Sequence, residues 1–464
     1  DSSCVYSGCM DSLSFTYNPS ASISDSSLCC YASGCSDSMA INYDSLICFT
    51  NNSLCIYDIN NITKGTGYGL IQTALDSSSN GDTIIVNPGT YYENLIITKN
   101  ITLASQHLLT NDTSFISSTI IDGNNSGRVI RISENQQNIY NLDSLEVKID
   151  GFTIQNGNQY ESGGGIYFFN SQDNGSWPEK HNIILSNLTL KNNSTQTDGG
   201  AICIISSNCS LKNLSISNNT SNGYFGAVHL KNLGKAIISD CNIFNNYSSY
   251  YAGGLGTESL DTIYLTSTNI INNTAEYGGG GAYYNNSDVM KIDSTIIHNN
   301  ITNDAGGGGI FISGGDKIEI FNSTISNNNC VTNGGGLGLD YTDSVIISHS
   351  NFIENESNNY QGAMMLNGPG IDYINISNCN IVRNKADVQA GIFVGTGDHV
   401  IINNCRVDSN STDGGSEAGI SINNNDLIEI SNSKIRYNSS DQNYAGIKID
   451  HADSLTIRNC LIKN

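Results

Sequence analysis

A repeat of about 27 residues runs through most of the chain and constrains its fold more than any other feature. One copy reads Ile374-Asn-Ile-Ser-Asn-Cys-Asn-Ile-Val-Arg-Asn384, and we number its residues as positions 1 to 11. The other copies begin at Ile183, Cys209, Ala236, Ile263, Met290, Ile318, Val345, Val400, Ile428 and Leu455. Because the steps between these copies vary only from 26 to 29 residues, we expect each copy to form one structural unit that packs on the next.

The pattern inside the repeat is that of short β-strands. Positions 1, 3 and 8 are apolar in every copy, and alternation at positions 1 and 3 is strand periodicity. Position 11 is Asn in ten successive copies, from Asn193 to Asn438. Asn tolerates the left-handed conformation and can hydrogen-bond to its equivalents in neighbouring units. A Gly precedes position 1 by nine residues in eight copies: Gly200, Gly254, Gly281, Gly309, Gly336, Gly391, Gly419 and Gly446.

Together these features predict an all-β, right-handed parallel β-helix. One coil cannot bury its inward face alone, but a neighbour stacked about 4.8 Å away can cover it. Leucine-rich repeats would need a helical half, and propeller blades would need about 40 residues each. We infer the hand from the usual crossover preference. The helix is predicted for residues 58–464, with entrance coils in 58–150 and regular coils in 151–464.

Residues 1–57 differ in chemistry and are predicted to be a separate, disulfide-rich segment. Seven Cys lie in this short polar stretch, which cannot bury a core of its own. They form two near-copies with spacings of 5 and 20 residues, and Cys48 is left over; the copies are Cys4, Cys9, Cys29 and Cys30, Cys35, Cys55. Disulfides imply an oxidising, extracellular setting. Zinc is the alternative, although the segment has no His and no CxxC pair.

Three stretches resemble known families. Residues 37–44, with Asp37 and Tyr43-Asp44, are similar to the GC-TDP-TA-NYD repeats of secreted marine bacterial proteins. Residues 81–97 resemble the first coil of the pectin-lyase-like superfamily. Gly199-Gly200-Ala201-Ile202 and Phe352-Ile-Glu-Asn355 resemble the GGAI and FxxN motifs of the polymorphic outer-membrane-protein repeats of surface adhesins. The resemblance implies a right-handed β-helix that is either a non-catalytic adhesin or fibre, or a carbohydrate-active enzyme such as a polysaccharide lyase.

The sequence offers little that resembles an active site. It has six Arg and lacks a Gly-His-Gly element, and Arg436 is expected to form a surface ion pair with Asp408 on the adjacent coil. The seven His fall at different repeat positions, so we expect each of them, including His229, to be a surface or turn residue. No Cys–His or Ser–His–Asp pairing is evident. Trp177 is the sole Trp, so no row of indole rings is available to stack on sugars.

A file of carboxylates is the main candidate binding feature. Asp stands two residues before position 1 in eight consecutive copies: Asp261, Asp288, Asp316, Asp343, Asp372, Asp398, Asp426 and Asp453. Each Asp could cap its turn by accepting a backbone N–H, as in an Asx-turn. Alternatively, Ca²⁺ could lie between the rungs, or the file could keep the rod soluble by repulsion. No cofactor is required by the sequence.

Other side chains suggest modification. The chain has 22 Asn-x-Ser/Thr sequons, and we take Asn51, Asn61, Asn111 and Asn285 as candidate glycosylation sites. Four Cys share position 6 with Ser and Thr, so we expect them to pack as small interior residues. Of these, Cys379 and Cys405 fall on adjacent coils and could form a bridge. Cys203 and Cys209 could pair across a turn.

Charge and chain ends bear on function. A formal net charge of −23 argues against nucleic acid as a partner, and no apolar run is long enough for a membrane span. The last repeat reaches Asn464 without a cap, so we expect either more protein beyond Asn464 or a partner that completes this coil, whereas the Cys-rich segment could cover the first coil. We therefore expect a secreted or cell-surface rod that associates end to end or binds cell-surface glycans. A polysaccharide lyase and a passive glycan-binding module are the alternatives.

Overall fold

The predicted architecture is confirmed: the chain is an all-β parallel β-solenoid of about 13 turns with about 27 residues per coil. The structure is a computed structural model and describes residues 5–38, 40–133, 144–169, 181–304, 306–368, 371–415 and 417–463. Equivalent repeat positions pair in parallel and in register; Ile183, Cys209 and Ala236, for example, follow one another across three adjacent strands. Trp177 lies outside the described residues.

Three sheets run along the solenoid through the described residues. The largest has 25 strands: Ile59–Asn61, Thr66–Tyr68, Asp82–Val86, Leu95–Ile97, Ile101–Ser105, Ile130–Ile132, Glu146–Asp150, Ile166–Phe169, Asn182–Ser186, Ile202–Ile205, Asn208–Lys212, Val228–Ser239, Leu255–Thr266, Ala282–Asn285, Val289–Asp293, Ile310–Phe321, Leu337–Ser348, Met364–Asn367, Ile371–Ser377, Ile392–Val394, Gly397–Asn403, Ile420–Ile422, Asn425–Ser431, Ile447–Ile449 and Ala452–Arg458. The second has 14: Gly89–Tyr91, Thr119–Asp122, Thr153–Gln155, Thr189–Lys191, Ser215–Ser217, Asn242–Phe244, Asn269–Ile271, Ile296–His298, Thr324–Ser326, Asn351–Ile353, Asn380–Val382, Arg406–Asp408, Lys434–Arg436 and Leu461–Lys463. The third has 11 short strands: Asn158–Gln159, Ser194–Thr195, Thr220–Ser221, Tyr247–Ser248, Thr274–Ala275, Ile301–Thr302, Asn329–Cys330, Glu356–Ser357, Lys385–Ala386, Ser411–Thr412 and Ser439–Ser440.

The N-terminal segment holds three disulfides, Cys9–Cys29, Cys30–Cys48 and Cys35–Cys55. Cys48 is therefore not left over, because it closes a loop with the first Cys of the second near-copy. Cys4 lies outside the described residues. Two small parallel sheets, Ser7–Gly8 with Ile23–Ser24 and Ser33–Gly34 with Phe49–Thr50, and two 3₁₀ turns, Ser26–Leu28 and Asn52–Leu54, complete the segment.

A helix covers the core of the first coil. Helix α1 (Ile71–Ser77) buries Ile71, Ala74 and Leu75 in the hydrophobic core of the solenoid. The Glu93 carboxylate accepts both the Ile71 and the Gln72 backbone N–H at 2.9 Å, which satisfies groups that a helix N-terminus leaves free. The strand Ile59–Asn61 also pairs antiparallel with Asp82–Val86. Two further helices, α2 (His107–Thr110) and α3 (Ser114–Ser118), lie in one loop.

Two left-handed corners per coil account for the abundance of Asn. Positions 5 and 10 have positive φ in the regular coils, as at Asn378 (+56°) and Asn272 (+56°). The left-handed residues are thus at positions 5 and 10, and not at position 11 as the sequence suggested. Position 11 forms the expected ladder: each buried Asn donates from Nδ2 to the Oδ1 of the next copy at 2.9–3.1 Å, from Asn193 to Asn438.

The core is filled by the predicted apolar positions. Residues at positions 1, 3 and 8 are buried from Ile183 to Ile435. The position-6 Cys of the inner coils are buried too, and the seven Cys of the solenoid are free thiols. The suggested pair Cys203 and Cys209 is therefore not formed; their strands are separate, and Cys209 faces the core whereas Cys203 faces away from it.

Candidate functional site

One group of titratable side chains lies on the outer face of the largest sheet, and we call it the His229 cluster: Asp198, Cys203, His229, Lys231 and Glu258. Cys203 and His229 are in-register neighbours on adjacent strands, and Lys231 is the in-register neighbour of Glu258 on the next. Asp198 comes from the turn that leads into the first of these strands. Because parallel strands stack at matched positions, residues 26 to 29 apart meet here.

The contacts in the cluster centre on the His229 imidazole. Its Nδ1 lies 3.7 Å from the Cys203 Sγ and 4.0 Å from the Asp198 carboxylate. Its Nε2 lies 3.3 Å from Glu258 Oε2, and the Lys231 Nζ lies 2.8 Å from the same oxygen. The order thiol, imidazole and carboxylate is that of a nucleophile with its base and orienting acid.

These contacts and burial shift the pKa values of three groups in the cluster. The hydrogen bond from His229, together with that from Lys231, lowers the pKa of Glu258 to about 2, against the opposing effect of burial. Burial raises the pKa of Asp198, while the nearby His229 opposes the rise. Burial also raises the pKa of the Cys203 thiol well above its usual range. The thiol is therefore protonated and weakly nucleophilic at neutral pH.

Phe225 closes the cluster from outside. Its ring centroid lies 4.4 Å from that of His229, and His229 is only 2% exposed. Phe225 adopts φ +62°, a conformation that Gly199 adopts in the adjacent coil. The ring lies over Gly256, where an added Cβ would come within 1.9 Å of Phe225. A substrate has no access to the Cys203 sulfur or to the His229 ring in this arrangement, so the cluster is a buried polar network.

A row of Tyr side chains flanks the cluster on the turns. Tyr224, Tyr250 and Tyr277 follow one another on three coils and are 44%, 43% and 40% exposed. Their rings stack, with centroids 5.1 Å apart for the first pair and 5.4 Å for the second. Stacked rings cover each other's faces, so the row presents mainly ring edges and hydroxyls to solvent. The Tyr row is therefore better suited to hydrogen-bond a ligand at regularly spaced hydroxyls than to stack against the face of a sugar ring.

A second aromatic row lies beneath the Tyr row. Tyr251 stacks on Tyr283 at 4.5 Å, and Tyr283 stacks on Phe311 at 5.8 Å. Burial raises the pKa of Tyr283 to about 12, so its hydroxyl is neutral at physiological pH. The inner row connects the cover of the His229 cluster to the next coils and stabilises the turns.

The Asp file lies mostly on the surface, and its side chains cap no turn among the described residues. Seven of the eight side chains are exposed and Asp261 is half-buried. None of the hydrogen bonds among the described residues is accepted by one of these carboxylates, so the Asx-turn interpretation is wrong. Burial and the charges of Asp316 and Asp261 raise the pKa of Asp288. The part of the chain that the structure describes contains no group of three or more His, Cys, Asp or Glu placed to hold a metal ion.

Two other predicted residues have different surroundings from those expected. Asn61 is fully buried and its Nδ2 donates to Asp82 at 2.7 Å, so that amide has no room for a glycan. Asn111 is exposed, whereas Asn51 and Asn285 are half-buried. Arg436 does pair with Asp408 at 2.8 Å, but the Asp408 carboxylate is buried and also accepts from Arg406 at 3.0 Å. The ion pair is therefore not a surface pair as expected, because its carboxylate is buried.

Sequence reasoning missed the His229 cluster, although the sequence contained a sign of it. His229 was expected to be a surface or turn residue, but it lies in a strand and is buried. Aligning the Gly-Ala pairs at Gly200-Ala201 and Gly226-Ala227 places Cys203 and His229 at the same offset. That alignment predicts their contact. Their enclosure by Phe225 could not be predicted, because it depends on the path of the turn.

A comparison with protein-family models agrees with the fold over part of the chain. A family model for the "Right handed beta helix region" matches residues 259–417. Among solved structures, the chain is similar to the mannuronan C-5 epimerase AlgE6 A-module of Azotobacter vinelandii, with 13% identity over 85% of this chain and 94% of that chain and a TM-score of 0.38. No curated protein matches the chain in sequence. No helix in the described residues is long and apolar enough to cross a membrane.

Proposed function

We propose that this chain is a non-catalytic β-helix rod of the extracellular space or cell surface, acting as a filament subunit or an adhesin. The observation that carries the proposal is the closure of the His229 cluster. Its thiol–imidazole–carboxylate contacts resemble the order of groups in catalytic machinery. They are buried under Phe225, and the Cys203 thiol is held protonated. These side chains therefore serve packing and charge balance.

Two further observations support the extracellular part of the proposal. The three disulfides of the N-terminal segment are typical of proteins that fold in an oxidising compartment. The net charge of −23 and the file of exposed Asp favour a soluble, self-repelling surface. The adhesin form of the proposal rests on the resemblance to GGAI and FxxN repeats and on the exposed Tyr hydroxyls, which suit hydrogen bonding to glycans.

The first experiment separates the rod from an enzyme. The purified chain is incubated with polyuronates, with and without added Ca²⁺, and unsaturated products are followed by their ultraviolet absorbance. We expect no product from the unsubstituted chain. Product formation that is lost in His229→Ala, while the melting profile is kept, would overturn the proposal in favour of a polysaccharide lyase.

The second experiment chooses between filament and adhesin. Negative-stain electron microscopy of the protein at increasing concentration should show rods joined end to end if the chain is a filament subunit. Single rods at every concentration, together with retention on a panel of immobilised cell-surface glycans, would identify the adhesin. Tyr250→Ser is the matched variant, since it removes the middle hydroxyl-bearing ring of the Tyr row. Single rods that bind none of the glycans would contradict both forms.

A further inference from the structure

From Cys241 to Cys460, position 6 of the repeat forms a continuous column of hydroxyls and thiols, whereas the first two copies have Leu188 and Leu214 there. Each of these side chains donates to the carbonyl oxygen of position 4 in its own coil, as Ser323 does at 2.6 Å and Cys379 at 3.1 Å. The backbone N–H of the coil before it donates to the same side chain, as for Thr295 to Ser323. Ser, Thr and Cys therefore satisfy one requirement at this position: a small side chain that donates to the position-4 carbonyl.

Cys379 and Cys405 are the one place in this column where two thiols are direct neighbours. Their flanking residues Asn380 and Arg406 pair in register, and the next residue in the column, Ser433, accepts the Cys405 N–H at 3.1 Å. Both thiols are buried and free in this structure. By contrast, Cys241 stacks on Thr268, and Cys460 follows Ser433.

The spacing of neighbouring coils suits a disulfide. Each of the two Cys directly precedes a strand, and these strands pair in register. Neighbouring strands of a parallel sheet lie about 4.8 Å apart, which is within the Cα–Cα range of about 4.4–6.8 Å that disulfides adopt. The same chain already bridges Cα atoms at this distance, since Cys9–Cys29 and Cys35–Cys55 both span 4.8 Å. The two thiols would give up their hydrogen bonds to position-4 carbonyls, and their contacts with the position-3 carbonyls of Ile347 and Ile376.

We propose that Cys379 and Cys405 are a modification site, where oxidation joins adjacent coils through a disulfide that crosses the corner of the solenoid. This goes beyond the proposed function and does not depend on it. During folding, before the coils close, the Cys379 thiolate attacks a sulfur of a small disulfide such as oxidised glutathione and releases one thiolate. The Cys405 thiolate then attacks the Cys379 sulfur and releases the second. The two Cys lose two electrons and two protons, and the small disulfide gains them as two thiols.

Peptide mapping tests the proposal directly. The full chain is refolded in a buffer of reduced and oxidised glutathione, denatured in the presence of an alkylating agent and digested with trypsin. Cleavage after Lys317, Arg383, Lys385 and Arg406 places the two Cys on separate peptides, residues 318–383 and 386–406. We expect these peptides to be linked in the unsubstituted chain and separate in Cys379→Ser. Recovery of both thiols alkylated from the folded, oxidised chain would overturn the proposal.

A thermal melt gives a second, independent readout. Ser occupies position 6 natively at Ser323, Ser350 and Ser433, so Cys379→Ser should fold. Adding a reductant should lower the melting temperature of the solenoid in the unsubstituted chain and in the matched control Cys241→Ser. In Cys379→Ser, which keeps the N-terminal disulfides but lacks this one, the reductant-dependent shift of the solenoid should vanish. An equal shift in all three proteins would count against the bridge.

Discussion

The buried Asn at position 11 satisfy backbone groups that the corners of each coil would otherwise leave unpaired. In the middle of the ladder, the Asn300 Oδ1 accepts both the backbone N–H and the Nδ2 of Asn273, at 2.9 and 3.1 Å. The Asn300 Nδ2 in turn donates to the Ile270 carbonyl oxygen at 2.9 Å and to Asn328 at 3.0 Å. One side chain therefore forms hydrogen bonds to both neighbouring coils. Its loss leaves several buried groups without partners.

Replacing one Asn of the ladder should be costly. We expect Asn300→Ala to lower the free energy of unfolding by about 2–4 kcal/mol, because buried donors and an acceptor lose their partners while a small cavity opens. Denaturant unfolding followed by circular dichroism measures the change. Asn303→Ala is the control, since Asn303 is exposed and makes one surface hydrogen bond to Glu276. Equal effects of the two variants would mean that the ladder contributes little.

The ion pairs of Glu258 should make stability depend on acid pH. The pKa of Glu258 is about 2 in the folded chain, below its ordinary value of 4.5. The ionised form is thus favoured by folding, so its contribution is complete above pH 4.5 and is lost as the pH falls toward 2. We expect Glu258→Gln to lower the melting temperature at pH 7 and to have little effect near pH 2. A difference between the two proteins that stays constant from pH 7 to 2 would contradict this assignment.

At the scale of elements, α1 covers the N-terminal end of the solenoid core. An open parallel sheet end exposes apolar side chains and invites further strands. Leu75 and Ile71 fill that space, and the Glu93 carboxylate fixes the start of the helix from the neighbouring coil. The helix is short, so its position depends on these contacts more than on its own propensity.

A charge placed under α1 should open this end. We expect Leu75→Asp to reduce the free energy of unfolding by about 3 kcal/mol or more, because an unpaired carboxylate replaces a buried side chain. Light scattering should also detect self-association through the uncovered coil. Thr73→Asp, which adds the same charge to the exposed face of α1, should leave both measurements nearly unchanged. If Leu75→Asp stays monomeric and stable, α1 is not the cover of the first coil.

The corners show why some elements could be predicted and others could not. Strand alternation at positions 1 and 3 and the Asn at position 11 depend only on sequence spacing, and they place the strands and the ladder. The left-handed corners at positions 5 and 10 also hold Arg383, Glu354 and Tyr437, so residue type alone does not reveal them. Helix α1 has only seven residues, too few for a helical period to stand out.

For the molecule as a whole, repetition made the fold predictable, whereas the candidate site depends on departures from repetition. The solenoid follows from one period counted along the sequence. The His229 cluster exists because Cys203, His229 and Gly256 differ from one another in one column, and because Phe225 takes a conformation that Gly adopts in the coil before it. Such differences between coils carry no periodic pattern, so only the three-dimensional structure shows what they bring together.

The Asp file is a property of the whole rod and gives the fourth prediction. Without a bound cation, Asp261 and Asp316 repel Asp288. Asp288→Asn should therefore raise the free energy of unfolding by about 0.5 kcal/mol or less at low salt, with a slight rise in melting temperature. The control Asp441→Asn changes an exposed carboxylate outside the file. If Ca²⁺ lies between the rungs, the sign reverses: Asp288→Asn and chelator each lower the melting temperature, and the variant no longer responds to chelator.

The hydrogen bonds of the Asn ladder all run in one direction along the rod, so the rod is polar. Along the ladder, every Asn from Asn193 to Asn410 donates from Nδ2 to the Oδ1 of the next Asn on its C-terminal side, so no single amide can rotate without placing oxygen against oxygen. One end of such a row offers an acceptor and the other a donor. Two rods that met at like ends would oppose identical groups, whereas rods that follow one another continue the row. Any fibre that extends this ladder is therefore polar, with distinguishable growing ends.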